Sequence, residues 1–197
     1  MIGPNLTDKR VLILGAETDI GRAVTTAVAE AGATIAAVAA TSDAEAAFAV
    51  QRLARRLSSG ERKVIAQAID ATNEAAVRVM VRQVSKDLGG LHAVVYCERP
   101  IPAVASPQQI EADSFREGRV YSLVSNFAQK EFERSGRGKF VLVVPGVVTT
   151  RPLYVEPIGR LKQPLPFELI GIGMQSKSPE ALASEVSAAI AGEADSR

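Results

Sequence analysis

Short apolar runs alternate with stretches of helical period along this chain. Val11 to Leu14 predicts a buried strand, and Ile20 to Ala31 predicts a helix closed by Gly32. Thr34 to Val38 reads as a second strand. Ala46, Val50, Leu53 and Leu57 then share one helical face, with Ser42 and Glu45 in capping-box spacing before it. Val64 to Ile69 predicts a third strand. Val77, Val81, Val84 and Leu88 repeat the helical period over Asn73 to Leu88, which ends at Gly89-Gly90. Ala93 to Tyr96 predicts a fourth strand. Residues 97–109 hold three prolines and read as irregular. A long helix capped by Asp113 or Ser114 is expected to run to about Arg134 and break at Gly136-Arg137-Gly138. Phe140 to Val144 predicts a fifth strand. Residues 145–166 carry five prolines and no helical period. Phe167 to Ile172 is a candidate sixth strand. Ser178-Pro179-Glu180 opens a last helix, with Pro at its first position, to about Ala191, and the tail 192–197 is polar.

Alternating strands and helices imply an α/β protein whose parallel sheet is covered on both faces. Right-handed crossovers then give a doubly wound order, 3-2-1-4-5-6, over about six strands. At 197 residues the chain fits a single domain, with a core over residues 6–191. Ligands on such sheets sit beyond the carboxyl ends of the strands, near Gly15, Ala39, Asp70, Tyr96 and Pro145.

Composition narrows the function classes. A net charge of +1 gives no footprint for nucleic acid or a membrane surface. Trp is absent and aromatics make up 5%, which argues against stacking on bases. No run has the length or apolarity of a membrane span, and the N-terminus lacks the basic start and apolar core of a signal peptide. The single cysteine, Cys97, excludes an intrachain disulfide and fits a reducing, cytoplasmic setting. One histidine and one cysteine do not make a His/Cys metal site.

The most informative stretch is residues 10–21, Arg-Val-Leu-Ile-Leu-Gly-Ala-Glu-Thr-Asp-Ile-Gly. A strand, a glycine turn and a helix N-terminus follow within twelve residues. That geometry brings backbone amides and a helix dipole to a pyrophosphate. The chain resembles the short-chain dehydrogenase/reductase family over about residues 6–191, less strongly after Val144. The family's first turn reads Thr-Gly-x-x-x-Gly-x-Gly; here it reads Leu14-Gly15-Ala16-Glu17-Thr18-Asp19-Ile20-Gly21. The resemblance implies a Rossmann-like domain and a NAD(P) contact at Gly15, Asp19, Ile20, Gly21 and Asp70. Asp19 replaces the glycine that lets the backbone approach the pyrophosphate, and a carboxylate there repels phosphate at short range. The expectation is that Asp19 caps the helix and that NAD(P) binds weakly or not at all.

Other family positions have changed as well. The cofactor-selecting positions after the second strand are Ala39 and Ala40, without charge. Thr41 and Ser42 follow as hydroxyl donors. Asp70 matches the family's adenine-contacting Asp. The family's Asn-Asn-Ala-Gly after the fourth strand is Tyr96-Cys97-Glu98-Arg99, which is expected to crowd the nicotinamide half of a cofactor. Cys97 is read as a buried, inert thiol. The family's tetrad of Asn, Ser, Tyr and Lys falls on Ser122, Pro145, Ile158 and Lys162, the last two by ungapped counting. No Tyr-x-x-x-Lys occurs: Tyr96, Tyr121 and Tyr154 are followed four residues later by Pro100, Ser125 and Ile158.

The resemblance therefore implies no catalytic residues in place, with the family's Tyr/Lys helix and seventh strand lost or remodelled. The expected function is a non-catalytic subunit partnering a catalytic chain of the family, or a homo-oligomer. The contacts would lie on helix 113–134 and segment 149–166. The alternatives are an oxidoreductase with an atypical site, using Tyr154 and Lys162, or a NAD(P)-binding sensor working through Gly15, Gly21 and Asp70. The cluster Arg52, Arg55, Arg56 and Arg62 reads as a solvated helix face.

Overall fold

The central strands alternate their side chains between two faces, and each face has its own helices. The computed structural model describes residues 4–60, 63–100, 102, 104–144, 167–174 and 177–192. The elements are β1 (Arg10–Leu14), α1 (Asp19–Glu30), β2 (Thr34–Ala39), α2 (Ala44–Leu57), β3 (Ile65–Ala68), α3 (Glu74–Leu88), β4 (Ala93–Cys97), α4 (Pro107–Ser135), β5 (Gly138–Val144), β6 (Phe167–Gly173) and α5 (Pro179–Ala191). The strands form one sheet in the order β3-β2-β1-β4-β5-β6. Every pairing is parallel, with Leu14 set between Val38 and Tyr96. This is the doubly wound sheet expected from the alternation of patterns.

Val11 and Ile13 point into a core shared with α1, α2 and α5. Leu12 and Leu14 point into a second core shared with α3 and α4. A strand buried on both faces needs apolar residues at every position, which is why β1 and β4 lack a polar alternation. Arg52, Arg55 and Arg56 are exposed on α2 while Leu53 and Leu57 are buried, so the arginines form a solvated face. Arg62 lies outside the described residues. No helix among the described residues is long and apolar enough to cross a membrane.

The helix starts differ from those expected. Thr18, not Asp19, caps α1, its hydroxyl accepting from the Gly21 amide at 2.9 Å. Asp19 is the first helical residue instead. Asp43, not Ser42, caps α2 by accepting from the Ala46 amide. In α4 the start lies at Ser106, seven residues before Asp113. Ser106 and Gln109 bond each other's backbone reciprocally, with Pro107 at the first helical position. The three prolines had masked this start. Gly138, read as part of a break, is the first residue of β5. A Cβ there would lie 1.9 Å from Phe132 Cδ1, so only glycine lets the strand pass under that ring.

Candidate functional site

The strand order reverses between β1 and β4, and the crevice beyond their carboxyl ends is the expected ligand position. The turn after β1 builds its floor. The amides of Gly15 and Ala16 donate to the Val38 carbonyl at 3.0 and 3.1 Å. The Thr18 amide and hydroxyl both donate to the Gly15 carbonyl, at 3.1 and 2.9 Å. With Gly21 bound to Thr18, four amides of this turn are engaged inside the protein. Both glycines also have packing reasons. Gly15 has φ +85° and a Cβ there would sit 2.1 Å from the Cys97 carbonyl oxygen; one on Gly21 would sit 1.9 Å from the Gly15 carbonyl oxygen. The glycines thus follow from the close approach of turn, strand and helix. Ile20 is buried against the first core.

The helix N-terminus presents carboxylates. Asp19 is exposed and paired with Arg22, whose other guanidinium nitrogen donates to the Glu17 carbonyl at 2.6 Å. Glu17, which belongs to no motif of its own, turns toward β2. Its carboxylate accepts from the Ala40 amide at 3.1 and 3.2 Å. Partial burial pushes Glu17 above the usual carboxylate range, opposed by bonds from its own amide and from Ala40, and by Arg99 and Arg116. The raised acid keeps its proton in the folded state at pH values where the unfolded chain has lost it. Stability therefore falls as pH rises from 4.5 through the higher folded-state value. Wild type should lose urea resistance as pH rises above 4.5 relative to Glu17→Gln, which keeps an oxygen for the Ala40 amide. Parallel curves for the two proteins would contradict this.

A second group reaches the rim from α4. Arg116 donates to the Ala40 carbonyl at 3.2 Å and to Glu117 at 2.6 Å. Glu117 is buried and accepts from the Tyr96 hydroxyl, while Arg99 stands 3.8 Å from its other oxygen. Burial, with Glu117 beside it, holds the Tyr96 hydroxyl well above its usual range. Tyr96 was expected to crowd the crevice; instead its ring lies in the second core, 1% exposed, and Glu98 is buried beside the strand. Arg99 is the exposed member of that trio. Cys97 is buried and its thiol is pushed far up, chiefly by desolvation, which suits an inert side chain.

Asp70 is exposed after β3. Its carboxylate takes the Thr72 hydroxyl at 2.6 Å and the Thr72 amide at 3.0 Å, bonds that lower its pKa. Arg119 donates to the Thr72 carbonyl at 2.9 Å. Asp70 is thus kept ionised at the far edge of the crevice. Ser122 is half-buried on α4, its carbonyl accepting from the Ser125 hydroxyl at 3.3 Å. Pro145, Tyr154, Ile158, Lys162 and the segment 149–166 lie outside the described residues.

The described crevice therefore brings together Gly15, Glu17, Asp19, Gly21, Asp70, Arg99, Arg116 and Glu117. Glu17, Arg116 and Glu117 left no local trace in the sequence. Glu117 meets Tyr96 across 21 residues and Arg116 meets Ala40 across 76.

Residues 9–98 match the sequence pattern of the short chain dehydrogenase family. No curated protein matches the sequence. Among solved structures, the chain is similar to hydroxysteroid dehydrogenase from Escherichia coli, with 17% identity, TM-score 0.62, and coverage of 79% of this chain and 62% of that one. It is similar to a short-chain type dehydrogenase/reductase from Mycobacterium marinum at 24% identity, TM-score 0.58, covering 78% of this chain and 63% of that one. For 3-ketoacyl-(acyl-carrier-protein) reductase from Brucella melitensis, complexed with NADH, the values are 21%, 0.59, 79% and 66%. The chain thus spans a little over three-fifths of these proteins' lengths. Residues 9–98 carry the short chain dehydrogenase pattern, and the described residues share the fold of these solved structures.

Proposed function

We propose that this chain is a non-catalytic member of the short-chain dehydrogenase group that acts as a subunit beside a catalytic chain of the same kind. The observation that carries this reading is the state of the pyrophosphate turn. The Gly15, Ala16, Thr18 and Gly21 amides bond within the protein, the Asp19 carboxylate stands at the first helical residue, and the Glu17 carboxylate reaches the Ala40 amide beside the turn. A dinucleotide would bring phosphate charge against two carboxylates, at a helix end whose dipole Asp19 already meets. The sequence adds that no Tyr-x-x-x-Lys is present to move a proton at a carbonyl oxygen. Helix α4 and segment 149–166 are the proposed contact regions. The exposed Phe115 and Ile110 on α4 support a covered surface there.

Wild type should show no rise in Tm with NADH or NADPH at about 1 mM, since mass action gives stabilisation only for a ligand that binds the folded state. The double variant Glu17→Ser, Asp19→Gly should gain a saturable rise. A wild-type rise matching one dinucleotide per chain would overturn the reading. Native mass spectra of the protein from its own host should show a second chain in fixed ratio. A homo-oligomer carrying dinucleotide would instead restore the sensor reading, for which the exposed, ionised Asp70 speaks.

A further inference from the structure

We propose that the outer edge of β6 pairs with β6 of a second copy of this chain, the two strands running antiparallel about a two-fold axis and joining two sheets into one. The sheet ends at β3 on one side and at β6 on the other. β3 has four residues, whereas β6 has seven, all in unbroken register with β5. Among the described residues no strand lies beyond β6.

One bond fixes the direction of the β6 backbone groups. The Met174 amide donates to the Val144 carbonyl at 2.9 Å and so faces β5. Backbone groups alternate sides along a strand, which turns those of Glu168, Ile170 and Ile172 toward β5 as well. The amides and carbonyls of Leu169, Gly171 and Gly173 therefore face outward. Among the described residues nothing bonds them on that side. A row of unpaired donors and acceptors at strand spacing fits one kind of occupant, another strand.

Native sheets usually guard such an edge with lysine, proline, an inward-pointing charge or a bulge. Residues 169–173, Leu-Ile-Gly-Ile-Gly, have no charge and no proline. Helix α5, which packs on β5 and β6, carries only Glu180 and Glu185 as charged residues, and Glu185 is held by Lys177. Leu169 and Ile170 are half-buried, one packed toward each core, so apolar surface remains on both faces at the edge.

The second copy is the occupant because the strand is complementary to itself. With Gly171 on the axis, Leu169 lies opposite Gly173 of the second copy and Ile170 lies opposite its Ile172. The outward groups of residues 169, 171 and 173 then exchange about six hydrogen bonds, two per facing pair. Two β-branched side chains meet across the strands on one face, and leucine meets glycine on the other. Glu168 falls opposite Met174, so the strand's single charge meets no like charge. An axis through Leu169 would instead set Glu168 against Ile170. The pairing is isologous, so it closes after two copies. It uses a different surface from Ile110 and Phe115 of α4 and does not rest on the subunit reading above.

The chain purified alone would be followed by sedimentation velocity from about 1 to 100 μM. The expected result is a dimer with Kd at or below about 10 μM. Gly171→Asp, at an exposed position, sets like charges face to face on the axis, and Gly171→Lys does so with the other sign. Each should raise the dimer Kd by about tenfold or more. Mixed in equal amounts, the two variants should dimerise again, because Asp then faces Lys. Wild type supplies a test that needs no variant: the amides of Leu169, Gly171 and Gly173 should gain hydrogen-exchange protection as concentration rises. A monomer at about 100 μM would overturn the proposal, as would exchange at these amides that ignores concentration. A dimer left intact by both variants would overturn it too, since the contact would then lie elsewhere, as on α4. So would failure of the mixture to dimerise when circular dichroism shows both variants folded. No catalytic chain enters the experiment, so its outcome is independent of the proposed subunit role.

Discussion

Glu117→Ala is expected to lower the unfolding free energy by about 3–5 kcal/mol, the usual result of removing one partner from a buried charged network. For a chain of this size that is roughly 10 °C in Tm. The loss has several sources. The Tyr96 hydroxyl, in a residue 1% exposed, would lose its acceptor inside the second core. Arg116 would lose its 2.6 Å carboxylate partner while still held against the Ala40 carbonyl. Arg99 would lose a weaker, exposed contact of little worth. Glu117→Gln keeps an oxygen for Tyr96 and discards the charge, so it should fall between the two. Urea denaturation of the three proteins measures this directly. A Glu117→Ala midpoint within experimental error of wild type would show that the network does not anchor α4 to β4. Because Glu117 also holds Arg116 across the end of β2, the variant tests what keeps the crevice rim closed.

Gly15→Ala is expected to destabilise the protein by about 2–5 kcal/mol with no nucleotide present. Roughly 1 kcal/mol comes from forcing a side chain into the left-handed region. The rest comes from overpacking, since the new Cβ would meet the Cys97 carbonyl oxygen at 2.1 Å and neither backbone can yield easily. Gly60→Ala is the control. Gly60 also has positive φ, +55°, but nothing lies within 4 Å of a Cβ there. It should show the conformational part alone, about 1 kcal/mol. Equal losses at the two sites would mean that the turn relaxes around Gly15. A much larger loss at Gly15 would show that this glycine is required by the fold itself. Its presence would then be no sign of a bound dinucleotide.

The sheet was legible because strands buried on both faces write themselves as apolar runs, and the helices between them keep a 3.6-residue period. Val11 to Leu14 and Val77 to Leu88 needed no tertiary information to be recognised. Helix starts were less legible. Asp19 and Ser42 are competent capping residues, and so are their neighbours Thr18 and Asp43. Which one caps depends on where the chain enters the helix. For α1 that entry is fixed by the bonds of Gly15 and Ala16 to Val38, on another strand. The start of α4 was in the sequence as Ser106-Pro107 with Gln109, but Pro100 and Pro102 just before it made the stretch read as loop.

The candidate site divides in the same way. Gly15, Gly21 and Asp70 were found from the order of residues along one turn or loop, because each acts within its own connection. The crowding expected of Tyr96 was misplaced. Strand pleating turns its ring into the core, and only its hydroxyl reaches Glu117. Glu17, Arg116, Glu117 and the Arg10–His92 pair emerged only when the strands were set side by side. Their partners lie 23, 76, 21 and 82 residues away. Sequence alone determined the alternation of strands and helices, the glycine turn and the absence of a Tyr-x-x-x-Lys, all of which are properties of neighbours along the chain. Tertiary structure decided which polar groups face one another at the two ends of the sheet. A charge's partner is set by distance in space, and the parallel crossovers bring distant residues together at the strand ends.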